Sequence, residues 1–208
     1  MNFKQTIYSF YEVIAPTYYK LLKKELKKCK NVLDFGCGDH SPIRRFKNIQ
    51  SIGIDVHKPT IELAKKRKTH KEFILANILE YKSPKKYDCA IALDLIEHIN
   101  KKDGLRLLGN LEASAKKVII FTPNGYLPQD PKIVANNPWQ EHKSGWTAAE
   151  FKKKGYAVYG VNGLKWLRGQ RAEIKWKPKI FWQIISELSQ WIIVYFPKLA
   201  FQLFAVKK

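Results

Sequence analysis

Short apolar runs alternate with helix-patterned segments along most of this 208-residue chain, and that alternation restricts the fold more than any other feature. Runs at 32–36, 51–55, 72–76, 87–93 and 117–122 have the length and apolar content of buried strands. Between them, 42–46, 59–68 and 102–115 read as helices, the first opened by Ser41 as N-cap and Pro42 at its first position. Pro123 stops the fifth strand, 147–155 reads as a short helix, 156–161 as a sixth strand and 200–206 as a seventh. Strands without polar alternation, separated by helices, imply an α/β fold with a parallel sheet covered on both faces. A single domain over 1–208 is expected, with a lysine-rich helical N-terminal segment at 1–30 and a helical insertion at 163–197 between the last two strands.

Hydrophobic residues make up 45% of the chain, enough to build a core at this length and to exclude disorder or a fibrous repeat as the main state. Charge is the unusual quantity: 38 Lys+Arg against 18 Asp+Glu, a formal net +20. Such a balance favours an anionic partner, a nucleic acid or an anionic membrane. Apart from Arg44, Arg45, Arg67, Arg106, Arg168 and Arg171 the basic residues are lysines, point charges without the planar fork used to read bases, so nucleic acid is the weaker expectation. Cys29, Cys37 and Cys89 are odd in number and show no zinc spacing, which fits a reducing, cytoplasmic setting. The N-terminus lacks the apolar stretch of a signal peptide, and no run reaches the ~18–20 apolar residues of a spanning helix.

Val32-Leu-Asp-Phe-Gly-Cys-Gly38 carries the chemistry. A strand ending in a carboxylate, then Gly-x-Gly, lets the backbone turn sharply and approach a ligand at the carboxyl edge of a sheet. The sixth position of the loop from Gly36 is Ser41, so this is not the dinucleotide fingerprint. The second strand ends in Asp55, suited to accept both hydroxyls of a ribose, and the third in Asn77, whose amide suits an adenine edge. With VLDFGCG at 32–38, SIGID at 51–55, LANI at 75–78, KYDCAIALDLIEHI at 86–99 and KVIIFTPNG at 117–125, the chain resembles the class I S-adenosylmethionine-dependent methyltransferases over essentially its whole length. The resemblance implies a Rossmann-like, seven-stranded, mostly parallel sheet with an antiparallel last strand. It also implies S-adenosyl-L-methionine as cofactor: Asp34, Gly36 and Gly38 beside its methionine part, Asp55 on the ribose, Asn77 and Ile78 at the adenine. His40 stands where many members carry a further glycine. Asp34, Asp55 and Asp94 would offset the chain's positive field around the cationic sulfonium.

Asp94-Leu-Ile-Glu97-His98 follows the fourth strand, and His142 precedes Lys-Ser-Gly-Trp-Thr147. Glu97, His98 and His142 are the candidate catalytic residues, as a base for an acceptor hydroxyl or as a contact to the substrate. With Asp94 they also have the donor types of a magnesium or manganese site, although no metal ligand is assigned. The pattern is similar to that of RNA 3′-terminal ribose 2′-O-methyltransferases, and to quinone-biosynthesis and sugar O-methyltransferases with an Ile-Glu-His motif. Residues 125–146 are long for a connector and read as a substrate wall, with Trp139 and Trp146 equally suited to ordinary packing.

Within the insertion, 180–196 is an apolar helical run whose Gln183, Ser186, Glu187 and Gln190 form one narrow polar stripe. Its wide apolar face suits packing on the core, a dimer interface, or peripheral contact with an anionic membrane through Trp182 and Trp191. The sixth strand, parallel to the first five in the family, would launch this insertion from the ligand edge. The expected activity is methyl transfer to a small or lipid-linked metabolite, a glycan hydroxyl or quinone-type acceptor. The alternatives are an RNA terminus and a non-catalytic S-adenosylmethionine-binding subunit.

Overall fold

The computed structural model describes residues 15–208, so the first part of the expected N-terminal helical segment lies outside the described residues. Among them, seven strands form one sheet: β1 (Asn31–Phe35), β2 (Gln50–Asp55), β3 (Glu72–Leu75), β4 (Cys89–Leu93), β5 (Val118–Pro123), β6 (Ala157–Leu164) and β7 (Ala200–Lys207). Their order is β3-β2-β1-β4-β5-β7-β6. The first five pair in parallel, with Asp34 opposite both Gly53 of β2 and Ile91 of β4. β7 is antiparallel to β5 and β6, so β6 points the same way as the first five. The chain builds outward from β1 to β3 and then returns to place β4 on the other side of β1. That reversal opens a crevice above the carboxyl ends of β1 and β4, where ligands of open α/β sheets bind.

Six α-helices among the described residues accompany the sheet: α1 (Tyr18–Leu26), α2 (Lys58–Lys66), α3 (Lys101–Ser114), α4 (Pro131–Asn136), α5 (Ala148–Lys153) and α6 (Lys179–Ile193). Side-chain oxygens of Thr17 and Asn100 cap α1 and α3, and Thr147 with Glu150 forms a complete capping box on α5. Cores lie on both sheet faces. One gathers Leu33, Phe35, Ile54, Leu107, Leu111 and Trp146; the other gathers Leu22, Leu26, Val32, Ile91, Ile119 and Phe204. Residues 42–46 form only one 3₁₀ turn, Pro42–Arg45, because the chain enters β2 a few residues later. The long segment after β5 contains α4 and a 3₁₀ turn, Pro138–Gln140, which apolar periodicity does not reveal because neither buries a residue.

Of the alternatives for α6, packing its apolar face on the core is not the one found. Ser186, Gln190 and Ile193 are its buried residues, so the polar stripe faces the body. Gln190 accepts from the Gly163 amide and donates to the carbonyls of Gly160 and Pro16. Ser186 accepts from the Arg168 guanidinium and occupies the space a Cβ on Gly163 would need. The insertion leaves from the ligand edge, where Lys165 bonds the Asn124 carbonyl, yet none of its residues lines the cleft described below. The insertion starts from β6, the edge strand, which β7 and β5 separate from β4 and the cleft.

Candidate functional site

A cleft of about 650 Å³ lies over the carboxyl ends of β1, β2 and β4, within the usual size of a small-molecule site. Gly36 and Gly38, both at positive φ, turn the chain across its floor. The Gly36 and Cys37 amides bond the Ile54 carbonyl, and a Cβ on Gly36 would fall 2.4 Å from a Leu95 methyl. The loop therefore lies against β2 on one side and the loop after β4 on the other.

Asp34, buried at the end of β1, accepts on one oxygen from the Ser41 hydroxyl at 2.6 Å and pairs with the His70 ring at 3.0 Å. His70 was not visible as a site residue in the sequence; it precedes β3 and reaches Asp34 only through the sheet, over Gly53, whose missing side chain leaves it room. Asp55 accepts the Gly38 amide on one oxygen and the His57 amide on the other, which fixes its carboxylate in the cleft wall. Asn77 lines the cleft, and its amide accepts from Leu79 N–H and donates to Glu80, shaping its own turn. Ile78 lines the cleft beside it. His40, exposed, joins Asp39 and Arg67 at the rim. Tyr18 of α1 also lines the cleft, and burial near Asp94 and Asp34 pushes its phenol pKa far up, so it stays protonated.

Asp94 takes a left-handed backbone, φ 49, at the turn out of β4, a strained conformation that Asp tolerates better than most residues. Its carboxylate accepts from Gln202 and faces the cleft. Surrounding protein pushes its pKa upward; the side chain remains open to the water of the cleft, which limits that push.

The next turn, Ile96–His98, sends Glu97 inward and His98 to the cleft. The Glu97 carboxylate accepts the Thr122 hydroxyl at 2.9 Å, and its carbonyl accepts the amides of Lys143 and Ser144. Those two backbone bonds draw residue 142 onto residue 98, with ring centroids 4.7 Å apart. His98 Nδ1 bonds the Glu141 carbonyl and His142 Nδ1 the Leu127 carbonyl. A carbonyl only accepts, so both Nδ1 atoms carry the proton, and each neutral ring keeps its lone pair on Nε2. Burial, then the neighbouring His142, pushes His98 down to about 4; burial lowers His142 as well. Burial, with Asp94 adding to it, holds Glu97 well above the ordinary carboxylate range. One donor atom from each of Glu97, His98 and His142 lies within 4.8 Å of the others. Two imidazoles and a carboxylate converging in this way suit a divalent cation. Sequence spacing alone does not produce this meeting; the 44 residues from His98 to His142 close through the Glu97 carbonyl. Trp146 by contrast is a core residue, stacked on Phe151 under Lys101, whereas Trp139, exposed, lines the cleft.

Residues 8–167 match the family model of a methyltransferase domain, so the chain belongs to the class I S-adenosylmethionine-dependent methyltransferases. It is 29% identical over 180 residues to the uncharacterized protein MJ1252 of Methanocaldococcus jannaschii, an alignment covering 78% of this chain and 68% of that one. Its fold is similar to that of an S-adenosylmethionine-dependent methyltransferase from Archaeoglobus fulgidus, with TM-score 0.54, 18% identity, and 96% and 98% of the two chains covered. It is also similar to the methyltransferase domain of a bacterial Hen1 protein, CtHen1, with TM-score 0.54, 19% identity, and 90% and 95% covered. The chain is thus a methyltransferase that uses S-adenosyl-L-methionine.

Proposed function

We propose that the chain transfers the methyl group to an oxygen of a small or lipid-linked acceptor, a glycan hydroxyl or a quinone-type phenol. The observation that carries this reading is the pair of neutral imidazoles, His98 and His142, each with Nδ1 held by a backbone carbonyl and Nε2 left to accept a proton. A hydroxyl is a poor nucleophile until its proton has a destination, and a positioned base supplies ~10²–10⁴-fold. Asp55 would hold the ribose, the 36–38 loop the methionine part and Ile78 the adenine, with Asp94 and His98 lining the same cleft. The cofactor would supply the methyl group to the acceptor oxygen, and the acceptor proton would pass to Nε2 of His98 or His142. In-line placement of the two reactants supplies most of the acceleration.

The donor set of Glu97, His98 and His142 favours a second version, in which these residues hold a divalent cation. Such an ion would bind the acceptor oxygen and lower its pKa. Turnover from labelled S-adenosylmethionine on sugar, catechol and oligoribonucleotide acceptors tests the reading. A His98→Ala, His142→Ala double variant should lose at least about 100-fold in turnover while keeping cofactor affinity. Unchanged turnover removes the proposal, as does preference for a 2′-hydroxyl RNA terminus over every metabolite. Loss on chelation, restored by Mg²⁺ or Mn²⁺, selects the cation version.

A further inference from the structure

Outside the cleft, the largest unexplained feature is α6 and the groove beside it. Helix α6 is inverted: its polar stripe is bonded into the body, and its wide apolar face meets solvent. Ile184, Leu188 and Ile192 are 53%, 63% and 62% exposed on one helical face. Ile180, Phe181, Trp191, Tyr195 and Phe196 extend that face at both ends, all exposed. A contiguous apolar strip of this kind marks a contact site, unlike the single exposed apolar residues of an ordinary surface.

Trp191 and Tyr195 also form one wall of a groove whose other wall is α1 and the loop before β2. Lysines 20, 23, 24, 27 and 47 line that groove over an apolar floor. Among the described residues, none of these five pairs with a carboxylate, although the chain forms ion pairs at several other lysines. Lys175 and Lys177 precede the helix and Lys198 follows it. The surface thus joins an exposed apolar helix face, aromatic residues at its margin and a bank of lysines that pair with no carboxylate among the described residues.

We propose that this surface docks on an anionic lipid bilayer, with α6 lying in the interface and the lysine groove over the head groups. Charge decides among the occupants. A second copy would bring another +20 body and its own lysine groove against this one, whereas an anionic bilayer neutralises both features together. Tryptophan and tyrosine suit the boundary between acyl chains and head groups, and an amphipathic helix gains from apolar insertion and charge at once. No helix among the described residues is long and apolar enough to cross a membrane, so the contact is peripheral. The inference does not depend on the acceptor chemistry above.

Flotation of the purified full chain with phosphatidylcholine vesicles, and with mixed phosphatidylcholine–phosphatidylglycerol vesicles, tests it. The chain should float with the mixed vesicles and release as salt is raised. An Ile184→Ser, Leu188→Ser, Ile192→Ser variant should lose at least ten-fold in binding, as should a Lys20→Gln, Lys23→Gln, Lys24→Gln variant. All six side chains lie outside the cleft, so retained cofactor binding by calorimetry certifies that both variants are folded. Failure of the wild-type chain to float with anionic vesicles overturns the proposal, and so does equal binding to neutral ones. It is overturned too if light scattering finds a dimer that the serine substitutions dissociate.

Discussion

Single residues of the cleft are held by bonds that leave their chemistry directed. Asp55 accepts two backbone amides, so Asp55→Ala should free the Gly38 turn and also remove the proposed ribose acceptor. Charge-assisted hydrogen bonds contribute about 1.5–3 kcal/mol, which sets an affinity loss of roughly 10–100-fold for S-adenosylmethionine by calorimetry. Unchanged affinity would take the ribose away from Asp55. Gly36 is a different case: an alanine there would carry φ 64 and place its Cβ against Leu95. A destabilisation of about 1–3 kcal/mol is expected, read as a lower melting temperature together with weaker cofactor binding. Glu97→Gln separates structure from chemistry. Burial raises the wild-type carboxyl in the folded state, so the stability it contributes is fully present below the unfolded pKa of ~4.5 and is lost as pH rises toward the folded value. An amide at this position does not titrate, so the melting temperature of the variant should gain on wild type from pH 5 to 8. If Glu97 ligates a cation, Mn²⁺ should raise the wild-type melting temperature and leave the variant unmoved; an identical rise in both proteins would remove Glu97 as a ligand.

At the scale of elements, the strands were legible because burial on both faces writes continuous apolar runs into the sequence. All five runs read as parallel strands are found, with boundaries displaced by a residue or two, as where the 87–93 run begins as a strand only at Cys89. The antiparallel β7 was legible through family resemblance, since periodicity carries no direction. Helix α6 shows where pattern reading stops. Its polar stripe was evident, but a stripe does not say which face meets the body. Gly160, Gly163 and Pro16 decide that, because their backbone groups need Gln190, and nothing in their spacing announces it. The candidate acceptor site divides in the same way. Glu97 and His98 stood out as a motif, whereas their meeting with His142 depends on main-chain bonds that any residues but proline at 143 and 144 would make. Gln190→Leu should therefore cost about 2–4 kcal/mol despite its added apolar volume, because buried donors and acceptors are left without partners. Equilibrium unfolding measures that cost; a neutral result would mean that α6 docks by its apolar side.

For the whole molecule, the +20 charge acts on cofactor and surface with opposite sign. The sulfonium cation approaches a body whose long-range field repels it, whereas Asp34, Asp55 and Asp94 border the cleft. Salt at ~0.1 M screens interactions beyond about 10 Å, which removes most of the repulsion and leaves much of the short-range attraction inside the cleft. Affinity for S-adenosylmethionine should therefore hold or rise modestly as salt increases from low to moderate. Contact of the lysine groove with an anionic surface should weaken over the same range, because each cation there meets its counter-charge across water. Calorimetry and flotation, run on one preparation through one salt series, read the two slopes. Parallel falling slopes would mean that the cleft does not shelter its carboxylates from the global field. Opposed slopes would mean that the fold has separated a locally acidic reaction site from a basic exterior, so that the same excess of lysine that attracts an anionic surface does not govern entry of the cationic cofactor.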